Sequence, residues 1–141
     1  MPQTFEFKQS SHLHPALSDP GTVLNADKLL GHWVNTNRET QGIAECTVKK
    51  VDGGLSVKVV GVGEDGPIEW PVVNADMLAN LEEEAGQRAV ALAANFEFGF
   101  MTAETYIRVN KGVLVIVLFA SFNDQSGRSG YVNREFFYRQ D

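Results

Sequence analysis

From Gly42 onward, hydrophobic and polar positions alternate with a period of two, the spacing of half-buried β-strands. "GIAECTVKKV" places Ala44, Cys46 and Val48 on one face and Glu45, Thr47 and Lys49 on the other. Asp52-Gly53-Gly54 predicts a hairpin turn, after which Leu55, Val57 and Val59 alternate with Ser56 and Lys58. Glu64-Asp65-Gly66-Pro67 marks the next turn, and Ile68, Trp70 and Val72 share a face beyond it. Pro71 donates no ladder hydrogen bond, so that strand is short, bulged or at an edge. "ANLEEEAG", with Glu82, Glu83 and Glu84, reads as a solvated connection. "QRAVALAANFEFGF" is alanine-rich but predicts a strand, because its phenylalanines alternate; small side chains suit a narrow barrel interior. Met101, Ala103, Thr105, Ile107 and Val109 then oppose Thr102, Glu104, Tyr106 and Arg108. After the Asn110-Lys111-Gly112 turn, Val113 to Phe122 is apolar on both faces. Such a strand is covered on both sides, so its outer cover must come from the N-terminal arm or a second subunit. "SGYVNREFFYR" is the last alternating segment.

Residues 1–23 are irregular: "TFEFK" suits a short strand, and "SSHLHPALSDPGT" is an arm rich in turn formers. Asn25 is placed to cap a short helical turn that ends at Gly31. No repeat or linker divides the rest of the chain. The expectation is an all-β fold, an antiparallel up-and-down barrel of about eight strands behind a short helical turn, since closure removes exposed edges. Residues 1–23 form the arm and 24–141 the barrel domain.

Composition narrows the function classes. The chain has 141 residues, 43% hydrophobic and 21% charged, enough for a core without staples. A net charge of −6 argues against nucleic acid or an anionic membrane as partner. Cys46 is the one cysteine, so no disulfide forms within the chain, and its apolar setting reads as a buried thiol rather than a reactive one. "MPQTFEFKQSSHLHP" is not a signal peptide, and the longest apolar run, Val113 to Ala120, is too short for a spanning helix. A cytoplasmic protein is expected.

The stretch "LLGHWVNTN" carries a resemblance. A helical turn followed by Gly31-x-Trp33 resembles the calycin group, comprising lipocalins, fatty-acid-binding proteins and avidins, and Trp33-x-Asn35 is closest to the avidin-like spelling. The resemblance implies that Trp33 closes the barrel floor and that a late arginine, Arg134 or Arg139, packs over it, as a guanidinium can stack on an indole. Residues 29–139 also resemble a small, uncharacterised bacterial β-domain family, most specifically at "DQSGRSGY". That family tends to have Trp-Gly-x-Cys and Cys-Asp-Trp-Gly; here Val60-Gly61-Val62-Gly63 and Ile68-Glu69-Trp70-Pro71 stand instead, without the paired cysteines. The resemblance implies an eight-stranded barrel and brings no activity.

Candidate chemistry is sparse. His12 and His14 share a face of an extended arm but lack a third ligand, so no metal is expected, and no cofactor either. His32 points opposite Trp33, outside the barrel. Ser126 and Ser129 are turn serines, "GVGEDG" lacks the lysine and helix of a phosphate loop, and Arg128 is a turn arginine that could also close a barrel mouth. The leading expectation is a barrel that binds a small apolar or heterocyclic ligand, with Trp33, Asn35, Trp70, Tyr106, Arg108, Phe122 and Tyr131 as ligand-binding candidates. An alternative is a cofactor-free isomerase or cyclase with Glu104 and Tyr106 as acid and base. Those two face the interior only if the polar face of 101–109 turns inward; if it turns outward, Met101, Ala103, Ile107 and Val109 fill the core. A third reading is a homo-oligomeric interaction module, a dimer, with a filled barrel.

Overall fold

The computed structural model describes residues 26–79 and 89–140. The arm 1–23, the His12–His14 pair, the Asn25 cap and the acidic connection at 82–84 lie outside the described residues.

Among the described residues, a three-residue 3-10 turn, Asp27–Leu29, precedes nine strands. These are β1 (Gly31–Asn35), β2 (Ile43–Val51), β3 (Gly54–Gly63), β4 (Gly66–Glu69), β5 (Val73–Ala79), β6 (Ala89–Glu97), β7 (Met101–Asn110), β8 (Val113–Phe122) and β9 (Tyr131–Gln140). Each main strand pairs antiparallel with its neighbours in sequence, and β1 pairs with both β2 and β9. The sheet therefore closes into an eight-stranded up-and-down barrel. The short β4 folds back on the end of β3, while β5 takes the lower half of the same β3 edge. Pro71 sits in the break between β4 and β5, where its missing N–H costs no ladder bond. The break splits what reads in sequence as one strand. Ile68 and Val72 are exposed, and Trp70 turns back onto the barrel end.

The period-2 pattern is what fills the interior. Cys46 and Val48, Leu55, Val57 and Val59, Ala103 and Ile107, and Leu114 and Ile116 are all buried and pack into one core with Trp33, Phe96 and Phe137. One register detail departs from strict alternation. The β2–β3 pairing shifts between Ile43 and Glu45, a bulge that turns Ile43 rather than Ala44 inward. Alanines at 94, 103 and 120 occupy inward positions beside larger neighbours, so the narrow lumen closes without overpacking.

No helix among the described residues is long and apolar enough to cross a membrane.

Candidate functional site

The two ends of the barrel differ in chemistry. At the floor, Trp33 on β1 is 1% exposed. Its indole N–H donates to the Leu29 carbonyl at 3.1 Å, which anchors the 3-10 turn beneath the barrel. Arg139 on β9 lies directly across from Trp33, and its guanidinium carbon is 4.6 Å from the indole centroid. The same guanidinium donates to the Lys28 carbonyl at 2.8 Å. Of the two arginines suggested by the resemblance, Arg139 takes this position; Arg134 points outward and lies over Phe136 instead. A shallow cleft of about 370 Å³ remains outside this seal.

The opposite end is polar at its centre. Glu135 has the same parity on β9 as buried Phe137, so its side chain turns into the barrel end. One carboxylate oxygen accepts the Ile43 N–H at 2.9 Å and the Asn133 amide at 3.0 Å. The other accepts the Asn35 amide at 2.5 Å and the Thr40 hydroxyl. Asn35, 4% exposed, also donates to the Ile43 carbonyl at 2.8 Å and accepts the Asn37 N–H at 2.7 Å. The 36–42 loop is thus wound around a carboxylate. Gly42 permits the approach, since a methyl group there would collide with Glu135. Among the described residues no lysine, arginine or histidine pairs with Glu135. Its negative charge is held by neutral donors alone.

Between the loop and the first half of β9 lies an open cleft of about 760 Å³, walled by Asn35, Thr40, Tyr131, Asn133 and Glu135 among others. The Asn133 side chain spends one N–H on Glu135 and retains a second N–H and its carbonyl, neither with a partner among the described residues. The exposed Tyr131 hydroxyl likewise has no partner among the described residues.

Tyr131 also joins an aromatic band around this end. It packs on Phe122 with centroids 6.3 Å apart. Trp70 meets Phe96 and Phe98 edge-on, each at 5.1 Å, and Phe98 leans on Phe100. Trp70 fits because Gly61 has no side chain: a Cβ there would lie 2.6 Å from the indole nitrogen. Arg128 lies over Phe122 at 4.0 Å, pinned by Asp124 at 2.5 Å and the Ser126 hydroxyl at 2.9 Å. The Ser126 hydroxyl, with the Ser126 N–H and Arg128 behind it, holds the Asp124 carboxyl below its ordinary range. Arg128 therefore braces the rim with its charge already matched.

The structure gathers four of the seven ligand-binding candidates, Asn35, Trp70, Phe122 and Tyr131, at this one end. Trp33 seals the other. Tyr106 and Arg108, together with Glu104, stand on the outer face of β7, while Met101, Ala103, Thr105, Ile107 and Val109 turn inward. His32 is also on the outer face, 2.6 Å from the Glu45 carboxylate. Glu135, Asn133 and Thr40 were not apparent as site residues from sequence. The available signal was parity: in "YVNREFF", Asn133 and Glu135 share the face of Phe137. Among the described residues no group of three or more His, Cys, Asp or Glu could hold a metal ion.

No family model, no curated protein and no solved structure matches this chain.

Proposed function

We propose that this chain is a small-molecule-binding barrel protein that takes a heterocyclic ligand at its polar end. The observation that carries the reading is Asn133 in the open cleft. It offers a free N–H beside a free carbonyl, next to the Tyr131 ring and an anionic carboxylate. A donor and an acceptor side by side match the edge of a flat heterocycle, and an aromatic side chain supports its face. Below this level the lumen is packed with side chains, so the ligand is placed at the mouth rather than in the barrel's centre. The uncompensated charge of Glu135 favours a ligand edge rich in N–H donors and disfavours an anion.

The calycin resemblance belongs to this proposal. It is supported by the 3-10 turn, the buried Trp33 and the Arg139 stack at the floor. A cytoplasmic setting belongs to it as well, resting on a single cysteine kept as a buried thiol. The isomerase or cyclase alternative requires an acid–base pair facing a bound substrate. Its candidates Glu104 and Tyr106 lie outside the barrel, so binding is preferred to catalysis.

A thermal-shift panel of purines, pyrimidines, pterins, flavins and indoles tests the reading. A ligand at about ten times its Kd stabilises by roughly 1.4 kcal/mol, or about 3–5 °C in a domain of this size. The expected result is a hit whose shift disappears in Asn133→Ala and in Tyr131→Ala. A panel without hits, or a shift that survives both substitutions, overturns it.

A further inference from the structure

The floor of the barrel carries a second feature, independent of the polar mouth. The cleft of about 370 Å³ at this end is lined by Lys28, Trp33, Val109, Lys111, Gly112 and Arg139. Three of those side chains are cations and none is an acid, in a chain that holds 18 Asp and Glu against 12 Lys and Arg. The cations come from three separate places: the 3-10 turn, the β7–β8 hairpin and the end of β9. Among the described residues none of the three has an ion-pair partner. Asp27, the acid next to Lys28 in the chain, is paired with Lys50 at 3.3 Å.

Arg139 is the fixed member of the group. Its guanidinium is stacked on Trp33 and tied to the Lys28 carbonyl. Its stem crosses Gly31, where an added Cβ would lie 3.2 Å from Nε. Of its N–H donors, only the one given to Lys28 has an acceptor among the described residues. A guanidinium already held in place gives up little freedom when an anion arrives. Lys111 stands at an unusual position for a lysine. Asn110 pairs with Val113 across a two-residue turn in which Lys111, with φ 53°, and Gly112, with φ 82°, are both left-handed. Such turns favour Asn, Asp or Gly at the first of these positions. The lysine forgoes that preference and sets an ammonium group on the cleft.

We propose that this cleft binds the phosphoryl group of a small phosphate monoester. Such a group carries a charge of about −1.5 to −2 at neutral pH and three acceptor oxygens on one centre. Three cations around one cleft match both the charge and the oxygens, Arg139 with a planar fork and the two lysines as point charges. A single carboxylate brings one charge and two oxygens and leaves cations unmatched. The cleft lies at the small end of the range for ligand sites, roughly 300–1,000 Å³, so the esterified group is small. Half-buried Val109 gives that group an apolar wall. The two ends of the barrel thus select opposite charges, since Glu135 at the mouth disfavours an anion.

An amide-resolved NMR titration of the full chain with phenyl phosphate, inorganic phosphate and malonate tests the assignment. Sodium chloride holds the ionic strength at about 0.1 M, where screening confines electrostatic effects to about 10 Å. Saturable shifts of the Gly112 amide and the Trp33 indole N–H are expected, with a Kd of about 1 mM or below for phenyl phosphate. Inorganic phosphate is expected to bind more weakly, and malonate most weakly. Asparagine suits a left-handed turn, so Lys111→Asn is expected to weaken binding roughly two- to fivefold while the melting temperature holds or rises. Lys28→Gln is expected to weaken it by a similar factor. Arg139→Lys keeps the charge but loses the fork, and is expected to cost about tenfold or more. Lys58→Gln removes one cation from the outer face of β3 and is expected to leave the titration unchanged. The proposal is overturned by an absence of saturable shifts, or by malonate binding as tightly as phenyl phosphate. It is overturned equally if Lys58→Gln weakens binding as much as Lys111→Asn, or if binding survives intact in Lys111→Asn, Lys28→Gln and Arg139→Lys.

Discussion

Replacing Glu135 by glutamine is the sharpest single perturbation of the polar end. The shape is conserved, but one acceptor oxygen becomes an NH2 group. Whichever way the amide is turned, one fixed donor, either the Ile43 N–H or the Asn35 amide, then faces another donor, while the Thr40 hydroxyl can rotate and the Asn133 amide turn over to accept. A hydrogen bond to a charged group is worth about 1.5–3 kcal/mol, and an orphaned buried donor costs about 1–3 kcal/mol. Glu135 and Asn133 are only half-buried and can relax toward water, which places the net loss at roughly 2–4 kcal/mol. In a domain of this size that is a fall in Tm on the order of 10 °C. The loss is also local: either the Ile43 amide or, through a displaced Asn35, the Asn37 amide is released, and the released amide is expected to exchange with solvent faster than amides of β7 and β8. Urea unfolding and residue-resolved hydrogen exchange measure both. A double-mutant cycle with Asn35→Ala is expected to show a coupling of about 0.5–3 kcal/mol, as for groups in one network. A glutamine variant that melts within about 2 °C of wild type, with Ile43 and Asn37 protection both intact, refutes the claim that a carboxylate organises the 36–42 loop.

Two further outcomes are expected at the floor and in the core. Arg139→Ala removes the guanidinium from the Trp33 ring and from the Lys28 carbonyl, with an expected cost of about 1–2 kcal/mol in urea unfolding and a changed indole emission; unchanged emission and midpoint would show that the stack contributes nothing. Burial pushes the Cys46 thiol from 9.0 up to about 12. The unfolded thiol therefore ionises first, so stability is intact below pH 9 and falls as pH rises towards 12, by at most about 4 kcal/mol. Cys46→Ala is expected to flatten that alkaline slope, and native Cys46 to resist alkylation at pH 8 until the chain is unfolded; rapid native alkylation would contradict the burial.

Alternation along the chain was sufficient to determine most of the strands and of their inward faces, together with the antiparallel order, though it ran β4 and β5 together. A period of two decides which side chains share a face, and short turns allow only neighbouring strands to pair. Trp33 at the barrel floor was implied by the resemblance carried by Gly31-x-Trp33 and not by alternation; the structure buries the ring there. Alternation did not distinguish the inside from the outside of a strand apolar on both faces, and so left β8 open to either reading. Nor did it separate Ala44 from Ile43, since a bulge is a property of two strands in register and not of one. What the tertiary structure alone decided was which polar residues meet. Glu135 lies 100 residues from Asn35 and 95 from Thr40 in sequence. Only the β9–β1 pairing that closes the barrel brings them within hydrogen-bonding distance. No local pattern encodes that contact, because it depends on the register in which the last strand meets the first.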